Sequence, residues 1–289
     1  MPINKSFLAA NAATSVFVLL WGSAAIFTRW GLDNASPIAL LVFRFTLALG
    51  ILVIIGCFRR RFIPQKGSSL WAAITGLVLI GGYSVCYFKA MGYGVTPGLI
   101  ATIMGIQPIL TLGIVERRMQ GWRLLGLLIA LSGLIQLVWR SLSSAHFSLP
   151  GIVFALSALL LMTFGAIMQK RLHQQPADVL PLQYAVSLVL CLILTPFEHF
   201  HFTVNLGLII PVLFLGGLIS VVAQLLLYRL LNSGNIVNVT SLFYLVPVIT
   251  AVLDYLLLGN ALPLSGLFGM VAIMLGIMLV FRAPKGANL

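Results

Sequence analysis

Long apolar runs separated by short polar connections cover almost the whole sequence. A membrane-spanning helix needs roughly 20 mostly apolar residues at about 1.5 Å each, and the chain supplies ten such runs. The predicted spans are Leu8–Thr28, Ser36–Cys57, Ser69–Met91, Thr96–Val115, Trp122–Arg140, Pro150–Gln169, Val179–Phe197, Leu208–Leu231, Ile236–Leu258 and Pro263–Arg282. The connections are rich in Gly, Pro, Asn and Ser, which are typical of turns. The pattern predicts an all-α membrane protein of ten transmembrane helices.

The composition agrees with a chain whose solvent is the bilayer. Of 289 residues, 61% are hydrophobic and 8% are charged, and the mean hydropathy is +1.11. A soluble domain is nearer half apolar and a quarter charged. Cys57, Cys86 and Cys191 all lie in or at the ends of apolar segments, so we expect small hydrophobic side chains rather than disulfides. The first apolar run lacks a small-residue cleavage site and is interpreted as the first span.

The net charge of +12 is carried mainly by bases in the short connections. This distribution is typical of topology signals and not of a nucleic-acid-binding stripe, so no nucleic-acid partner is expected. With a cytoplasmic N-terminus, thirteen bases fall on the cytoplasmic side, whereas Arg29, Lys89 and Arg140 fall on the other. The bias predicts an inner-membrane protein with both termini in the cytoplasm.

The two halves of the chain repeat the same order of residues at offsets of 139 to 143 positions. The first half contains Phe88-Lys89, Gly94, Pro108, Thr111, Gly126 and Gly133, and the second contains Tyr228-Arg229, Gly234, Pro247, Thr250, Gly269 and Gly276. Because each half has an odd number of spans, the second half enters the membrane from the opposite side. We therefore predict a first five-helix repeat at 1–140, a periplasmic connection at 141–149 and a second, inverted repeat at 150–289.

Features spread over the whole chain carry a family resemblance. Trp21-Gly22-Ser23 lies midway in the first span, Arg44 follows Pro37 by seven residues, and each half has a mid-helix proline before a glycine-spaced last helix. In these features the sequence resembles the drug/metabolite transporter superfamily and, within it, the EamA family of bacterial ten-helix permeases, which implies a bacterial inner-membrane location. Glu116 and Asn260 occupy or neighbour a position where that family usually carries glutamate, and Asn260 departs from the pattern.

The resemblance implies a fold and an activity. Two intertwined five-helix bundles are expected around a central cavity, lined mainly by the first, third and fourth helices and their counterparts in the second half. Transport in the family is secondary, and many members export amino acids or related metabolites. The resemblance therefore implies a small-molecule substrate.

Aromatic and polar side chains at intermediate depth are the candidates for substrate binding, since small-molecule sites combine apolar walls with a few placed polar groups. These candidates are Trp21, Tyr83, Tyr87, Lys89, Gln107, Phe164, Gln224, Tyr228, Asn238 and Tyr244. Lys89 and Arg229 are related by the repeat, and they either attract carboxylates at the two mouths or extend to the interface. For aromatic residues near helix ends, an interfacial position is the alternative.

Two charged residues inside spans are candidates for gating or structural roles, because charge in hydrocarbon is costly. Arg44 either attracts an anion or holds a gate, or it caps backbone carbonyls of a neighbouring helix. Asp254 is either a proton-coupling carboxylate or a helix-end residue in the headgroup layer. Pro108 and Pro247 each free a carbonyl one turn earlier, which predicts paired kinks with either a gating or a packing role.

The remaining motifs narrow the function. Glu198, His199 and His201 have metal-ligand chemistry, but their place in an outer loop favours a headgroup-level loop, and no metal or cofactor is expected. No G-x-x-x-x-G-K-[ST] loop occurs, so ATP is not the direct energy source within this chain. The two glycine pairs would permit close helix packing or a homodimer.

The leading prediction is a secondary transporter, and an exporter, that works by alternating access. The alternatives are a flippase for lipids or lipid-linked metabolites and, less favoured, an intramembrane enzyme, for which one clear intramembrane acid is too few.

Overall fold

A computed structural model describes residues 5–60, 63–65, 67–116, 120–143, 148–258 and 264–282; for residues 5–12, 140–141 and 253–258 it describes the backbone only. Within these ranges the chain is helical, and one isolated antiparallel bridge joins Ala35 to Phe202. The main helices are α1 (Lys5–Leu32), α2 (Pro37–Arg59), α3 (Ser69–Gly92), α4 (Pro97–Val115), α5 (Gly121–Leu137), α6 (Leu149–Lys170), α7 (Pro176–Phe197), α8 (Leu206–Ser233), α9 (Ile236–Ser241, Leu242–Tyr244 and Leu245–Leu258, end to end) and α10 (Leu264–Phe281).

Each of these helices corresponds to one predicted span, which confirms the all-α fold of ten transmembrane helices. Eight are long and apolar enough to cross a bilayer, and α5 and α9 are shorter apolar helices. Successive helices alternate in direction. We call the side where α1 begins and α2 ends the N-terminal face, and the side where α1 ends and α2 begins the opposite face.

Several helices begin where the local sequence dictates. The Ser36 and Thr96 hydroxyls accept hydrogen bonds from the backbone N–H groups of Ala39 and Leu99, and a proline follows each cap. The Asn205 side chain caps α8 in the same way, through the N–H of Leu208 at 3.0 Å. Such caps satisfy N–H groups that the first helical turn leaves unpaired. The turn residues of the sequence therefore set the helix boundaries.

The packing of the helices follows the inverted repeat. Helix α1 packs against α8 and α9, and its counterpart α6 packs against α3 and α4. Helix α2 packs against α7, and α5 packs against α10. Each repeat thus inserts its first helix into the other, which agrees with the intertwined bundles that the resemblance implies.

Irregular segments also occur in matched positions. Leu77–Gly82 in α3 and Phe214–Ala223 in α8 are π-helical, and π segments are commonly found at functional positions. Helix α4 is interrupted between Met104 and Gln107, and α9 has a 3₁₀ turn at Leu242–Tyr244. The breaks precede Pro108 and Pro247, as the missing proline N–H groups predict.

The glycine pairs lie between α5 and α10. A Cβ atom built on Gly276 would lie 2.4 Å from the carbonyl oxygen of Gly126, and one built on Gly133 would lie 2.6 Å from that of Gly269. The two helix backbones are thus in direct contact, as small residues permit in membranes. The glycine stripe is used within the chain, and a homodimer stays a prediction.

Matched hydrogen bonds tie the loops together at both faces. On the opposite face, Asn34 accepts from the backbone N–H of Thr203 at 2.8 Å and from the side chain of Asn205 at 2.8 Å. On the N-terminal face, the Gln174 side chain accepts from the N–H of Gln65 at 3.0 Å and donates to Ser68 at 2.6 Å. In each case the loop after the first helix of one repeat holds the loop after the second helix of the other.

Candidate functional site

A cavity of about 700 Å³ lies between the two repeats. Its walls come from α1, α3 and α4, from the end of α5 at Leu137 and Val138, and from the stretch of α9 that begins at Phe243. Helices α2, α6 and α8 contribute single residues. It extends to Arg29 and Asp33 at the end of α1 and to Pro97 at the start of α4. The cavity therefore reaches the opposite face.

Aromatic rings form much of the wall. On α1, Trp21 packs against Phe17 and against Phe243 of α9, with ring centroids 5.2 and 5.4 Å apart. On α3, Tyr83 and Tyr87 are one helical turn apart and therefore share a face, with centroids separated by 5.7 Å. The aromatic part of the wall combines flat apolar surfaces with the two tyrosine hydroxyl groups.

Arg44 places a charged group in the cavity wall. Its Nε donates to the Ser220 hydroxyl of α8 at 2.8 Å. The guanidinium carbon lies 5.7 Å from the ring centroid of Phe45 and 5.6 Å from that of Phe88. These distances are within the range in which an aromatic face stabilises a cation.

Almost all acids of the chain are paired with bases other than Arg44. The sequence has five acids, and four form ion pairs: Asp33 with Arg29, Asp178 with Arg59, Glu198 with Lys89, and Glu116 with Arg123. The fifth is Asp254, whose side chain lies outside the described residues. Among the described side chains, Arg44 therefore has no acidic partner.

Gln107 contributes a second polar group. It lies directly after the break in α4, lines the cavity and is 1% exposed. Its side-chain nitrogen has no hydrogen-bond partner among the described residues. A buried amide without a partner is costly, so the position suits a ligand that accepts hydrogen bonds.

The two broken helices meet at the inner end of the cavity. The Tyr244 hydroxyl of α9 donates to the Gly105 carbonyl of α4 at 2.5 Å. Since Tyr244 and Gly105 are related by the repeat offset of 139, this contact lies on the pseudo-twofold axis. The carbonyl freed by the break near Pro108 is thus satisfied by the other repeat.

Polar contacts close the N-terminal face. Arg123 of α5 is 8% exposed; it pairs with Glu116 and donates to the side chains of Asn235 and Asn238 at 3.2 and 2.7 Å. The Lys170 ammonium donates to the carbonyls of Leu231 and Gly234, both at 2.5 Å. These groups connect the start of α5 and the end of α6 to the turn between α8 and α9.

The structure brings together six of the residues that the sequence singles out. The residues that line the cavity are Trp21, Arg44, Tyr83, Tyr87, Gln107 and Pro247. Pro108 is buried beside Gln107 without being part of the wall. Asp254 lies in α9, and its side chain is outside the described residues.

The other candidates lie away from this cavity. Lys89 pairs with Glu198 and lies 5.0 Å from the ring centroid of Phe154, and Phe164 points outward with 49% exposure. Tyr228 is buried, and its hydroxyl donates to Gln183, which in turn donates to Gln169. Gln224, Asn238 and Tyr244 lie in the closed half nearer the N-terminal face. Their role in binding stays untested.

Sequence reasoning missed the small and apolar part of the wall. Ala24, Met104, Met162 and Val246 line the cavity, but in an apolar helix nothing separates such residues from ordinary packing positions. Ser220, the partner of Arg44, was also missed. The repeat offset of 139 could have found Met104, because its counterpart Phe243 is an aromatic residue one turn before Pro247, and both residues line the cavity.

Comparisons with known proteins agree on one family. A family model described as "EamA-like transporter family" matches residues 9–139 and 149–282. Proteins of Salmonella typhimurium and of Escherichia coli K12, each named "Probable amino-acid metabolite efflux pump", are 25% identical over 281 and 276 residues, with 90% of both chains covered in each case. An uncharacterised transporter of Bacillus subtilis is 25% identical over 288 residues, covering 93% of this chain and 90% of the relative.

The fold also occurs among solved structures. A crystal structure titled only as that of a protein superimposes with a TM-score of 0.78 at 18% sequence identity, covering 94% of this chain and 96% of the other. At this identity the likeness concerns the fold alone.

Proposed function

The chain belongs to the EamA-like transporter family, and on this premise we propose that it exports small metabolites, such as amino acids or related drug-like solutes, by alternating access. The family and the names of its relatives indicate a multi-pass membrane transporter of small molecules and not an enzyme. What the proposal adds is the direction, the substrate class and the mechanism.

One observation carries the proposal. A cavity between inverted repeats reaches one face, and polar contacts close the other. Alternating access needs a site at the repeat interface that opens to one side at a time. The cavity, with about 700 Å³ of space, falls in the size range of small-molecule sites.

The repeat boundaries support the same mechanism. We propose repeats at 1–140 and 150–289, joined by a periplasmic connection at 141–149, and the two family matches at 9–139 and 149–282 support this division. In the alternative state, the part of the repeat interface nearer the N-terminal face, which is closed in this structure, would open. Four of the predicted binding residues lie in that closed part and would then contact the solute: Gln224, Tyr228, Asn238 and Tyr244.

Flux in proteoliposomes tests the transport proposal. We expect saturable uptake of a labelled metabolite that is stimulated by the same unlabelled solute inside the vesicle, because a carrier exchanges faster than it returns empty. Protein-free liposomes are the control, and a fluorescent-lipid scrambling assay on the same vesicles tests the flippase alternative. Lipid scrambling without flux of any amino acid or aromatic metabolite would refute the proposal.

Cysteine labelling tests the proposed orientation with cytoplasmic termini. In a background with Cys57, Cys86 and Cys191 changed to serine, Ile63→Cys should react with an impermeant maleimide only after the cells are permeabilised. Val204→Cys, on the opposite face, should react in intact cells. The two positions are matched in exposure, at 68% and 72%. The reverse pattern would place the termini outside.

A further inference from the structure

We propose that the cavity selects organic monoanions: solutes with a carboxylate or sulfonate at one end and an apolar or aromatic body, with Arg44 as the anion-binding group. The inference depends on the proposed transport function and narrows its substrate class, from amino acids and related solutes to related acids that lack a charged amino group. It rests on the charge balance of the cavity, on the donors that face it and on the shape of its walls.

The charge balance is the first step. Three charged side chains line the described cavity: Arg29, Asp33 and Arg44. Arg29 and Asp33 pair with each other at 3.3 Å, and both are 55% exposed at the mouth. Arg44 is the remaining charge, so the described part of the cavity has a net charge of +1.

The contacts of Arg44 leave room for a ligand. A guanidinium carries five N–H donors in a planar fork that matches a carboxylate bidentately. Ser220 accepts one of them, from Nε, and the Tyr184 hydroxyl accepts another, which leaves three for a ligand. The rings of Phe45 and Phe88 cover faces of the cation. Aromatic faces stabilise the charge but accept no in-plane N–H bond. An unpaired cation at membrane depth is costly, and an anionic ligand offsets that cost.

Three other polar side chains of the described lining offer donors to a ligand. The Gln107 side-chain nitrogen is buried without a described partner, and Tyr83 and Tyr87 provide hydroxyls. The Gly105 carbonyl, an acceptor freed by the helix break, is already used by Tyr244. A ligand ammonium would need a carboxylate at depth, whereas Asp33, the one acid of the described lining, lies at the mouth and is paired. The described lining therefore suits an anion better than a zwitterion or a cation.

The walls specify the rest of the solute. Trp21 and Phe243 form one aromatic corner, and the two α3 tyrosines form another. Flat apolar walls of this kind favour a planar apolar body by stacking and area burial. An aromatic ring bearing a short acidic arm fits both features.

The test is a charge series on the purified full-length protein in nanodiscs. The probes share one ring system: indole-3-acetate is an anion, tryptophan a zwitterion, tryptamine a cation and indole-3-acetamide neutral. We expect indole-3-acetate to bind most tightly by isothermal titration calorimetry. Preference for tryptamine or tryptophan would overturn the inference, and this arm needs no variant.

Variants then test the assigned residue. Arg44→Gln should weaken indole-3-acetate binding about tenfold or more, the expected cost of losing a charge-assisted hydrogen bond, and Arg44→Lys should lie between. Arg171→Gln is the matched control, since Arg171 is an exposed base outside the cavity. Unchanged binding in Arg44→Gln would overturn the assignment. If that variant does not fold, Ser220→Ala provides the second measurement, because it removes the hydrogen-bond acceptor of Arg44 Nε. This variant should change the affinity for indole-3-acetate and leave the affinity for tryptamine unchanged.

Counterflow with the same probes separates the two proposals. Exchange of tryptophan but not of indole-3-acetate would leave transport standing and refute the monoanion inference. Binding of indole-3-acetate without exchange of any probe would support the inference about the site and count against transport.

Discussion

Replacing Gly276 with valine is expected to lower the free energy of unfolding by about 3 kcal/mol or more, at the upper end of the cost of overpacking. A Cβ atom at this position would lie 2.4 Å from the carbonyl oxygen of Gly126 and 2.6 Å from the backbone nitrogen of Ala130. Both are backbone atoms of α5, so no side-chain rotation relieves the clash. The whole α5–α10 contact must separate to make room.

The measurement is the apparent melting temperature and the monodisperse fraction of the detergent-solubilised protein. Gly113→Val is the matched control, because an added Cβ on this exposed α4 glycine meets nothing within 4 Å. Both substitutions add the same atoms to a helical glycine. Equal melting temperatures for the two variants would show that the α5–α10 contact does not hold the protein together.

Replacing Arg123 with glutamine is expected to open the N-terminal face. Arg123 links Glu116 to Asn235 and Asn238 and is nearly buried, and removing one partner of a buried pair costs about 3–5 kcal/mol. The cost applies to the closed state, so the population shifts towards states in which this face is open. Glu116→Gln combined with Arg123→Gln removes both charges and should have a smaller effect.

Labelling measures this opening. Ser241→Cys lies on α9 behind the closed face and is fully buried, so its reaction with a maleimide reports access. The rate should rise by an order of magnitude or more in Arg123→Gln, since about 1.4 kcal/mol corresponds to a factor of ten. Arg171→Gln, an exposed base on the same face, is the control. An unchanged rate in Arg123→Gln would mean that other contacts close this face.

Much of the fold follows from the sequence, because hydropathy and turn residues act locally. Ser36-Pro37 and Thr96-Pro97 mark helix starts that the structure shows with their caps. The repeat offsets anticipate which helices correspond. The offset grows by four residues, from 139 at the two prolines to 143 at the glycines that follow. In the structure, α9 runs 11 residues beyond Pro247, whereas α4 runs seven beyond Pro108.

The depth and direction of individual side chains could not be predicted in the same way. The π segment at Leu77–Gly82 changes the helical phase, so a regular 3.6-residue period carried from Ser69 misplaces Tyr83 and Tyr87 around α3. Phe164 has the same aromatic character as Trp21, yet its side of α6 faces outward.

The sequence also does not predict which side of the repeat interface is open. Phe88 and Tyr228 are equivalent in the repeat, but Phe88 lines the cavity and Tyr228 is enclosed with Gln183. In the proposed alternating-access mechanism, which of two equivalent positions faces the cavity depends on the face that is open, and the repeat in the sequence treats both positions alike.

The exchange of first helices between repeats has a consequence for synthesis. Helix α1 leaves the ribosome before its main partners α8 and α9, because the six helices α2 to α7 are made in between. At ~5–20 residues per second, the roughly 170 residues between α1 and α8 take about 10–35 s. During that time α1 must reside in the membrane without its main native neighbours, although α2 and α3, which it contacts less, are already made. Insertion of the early helices and assembly of the finished bundle are therefore separate events, and a chain truncated before α8 would leave its first helix available to other membrane proteins or to quality-control proteases.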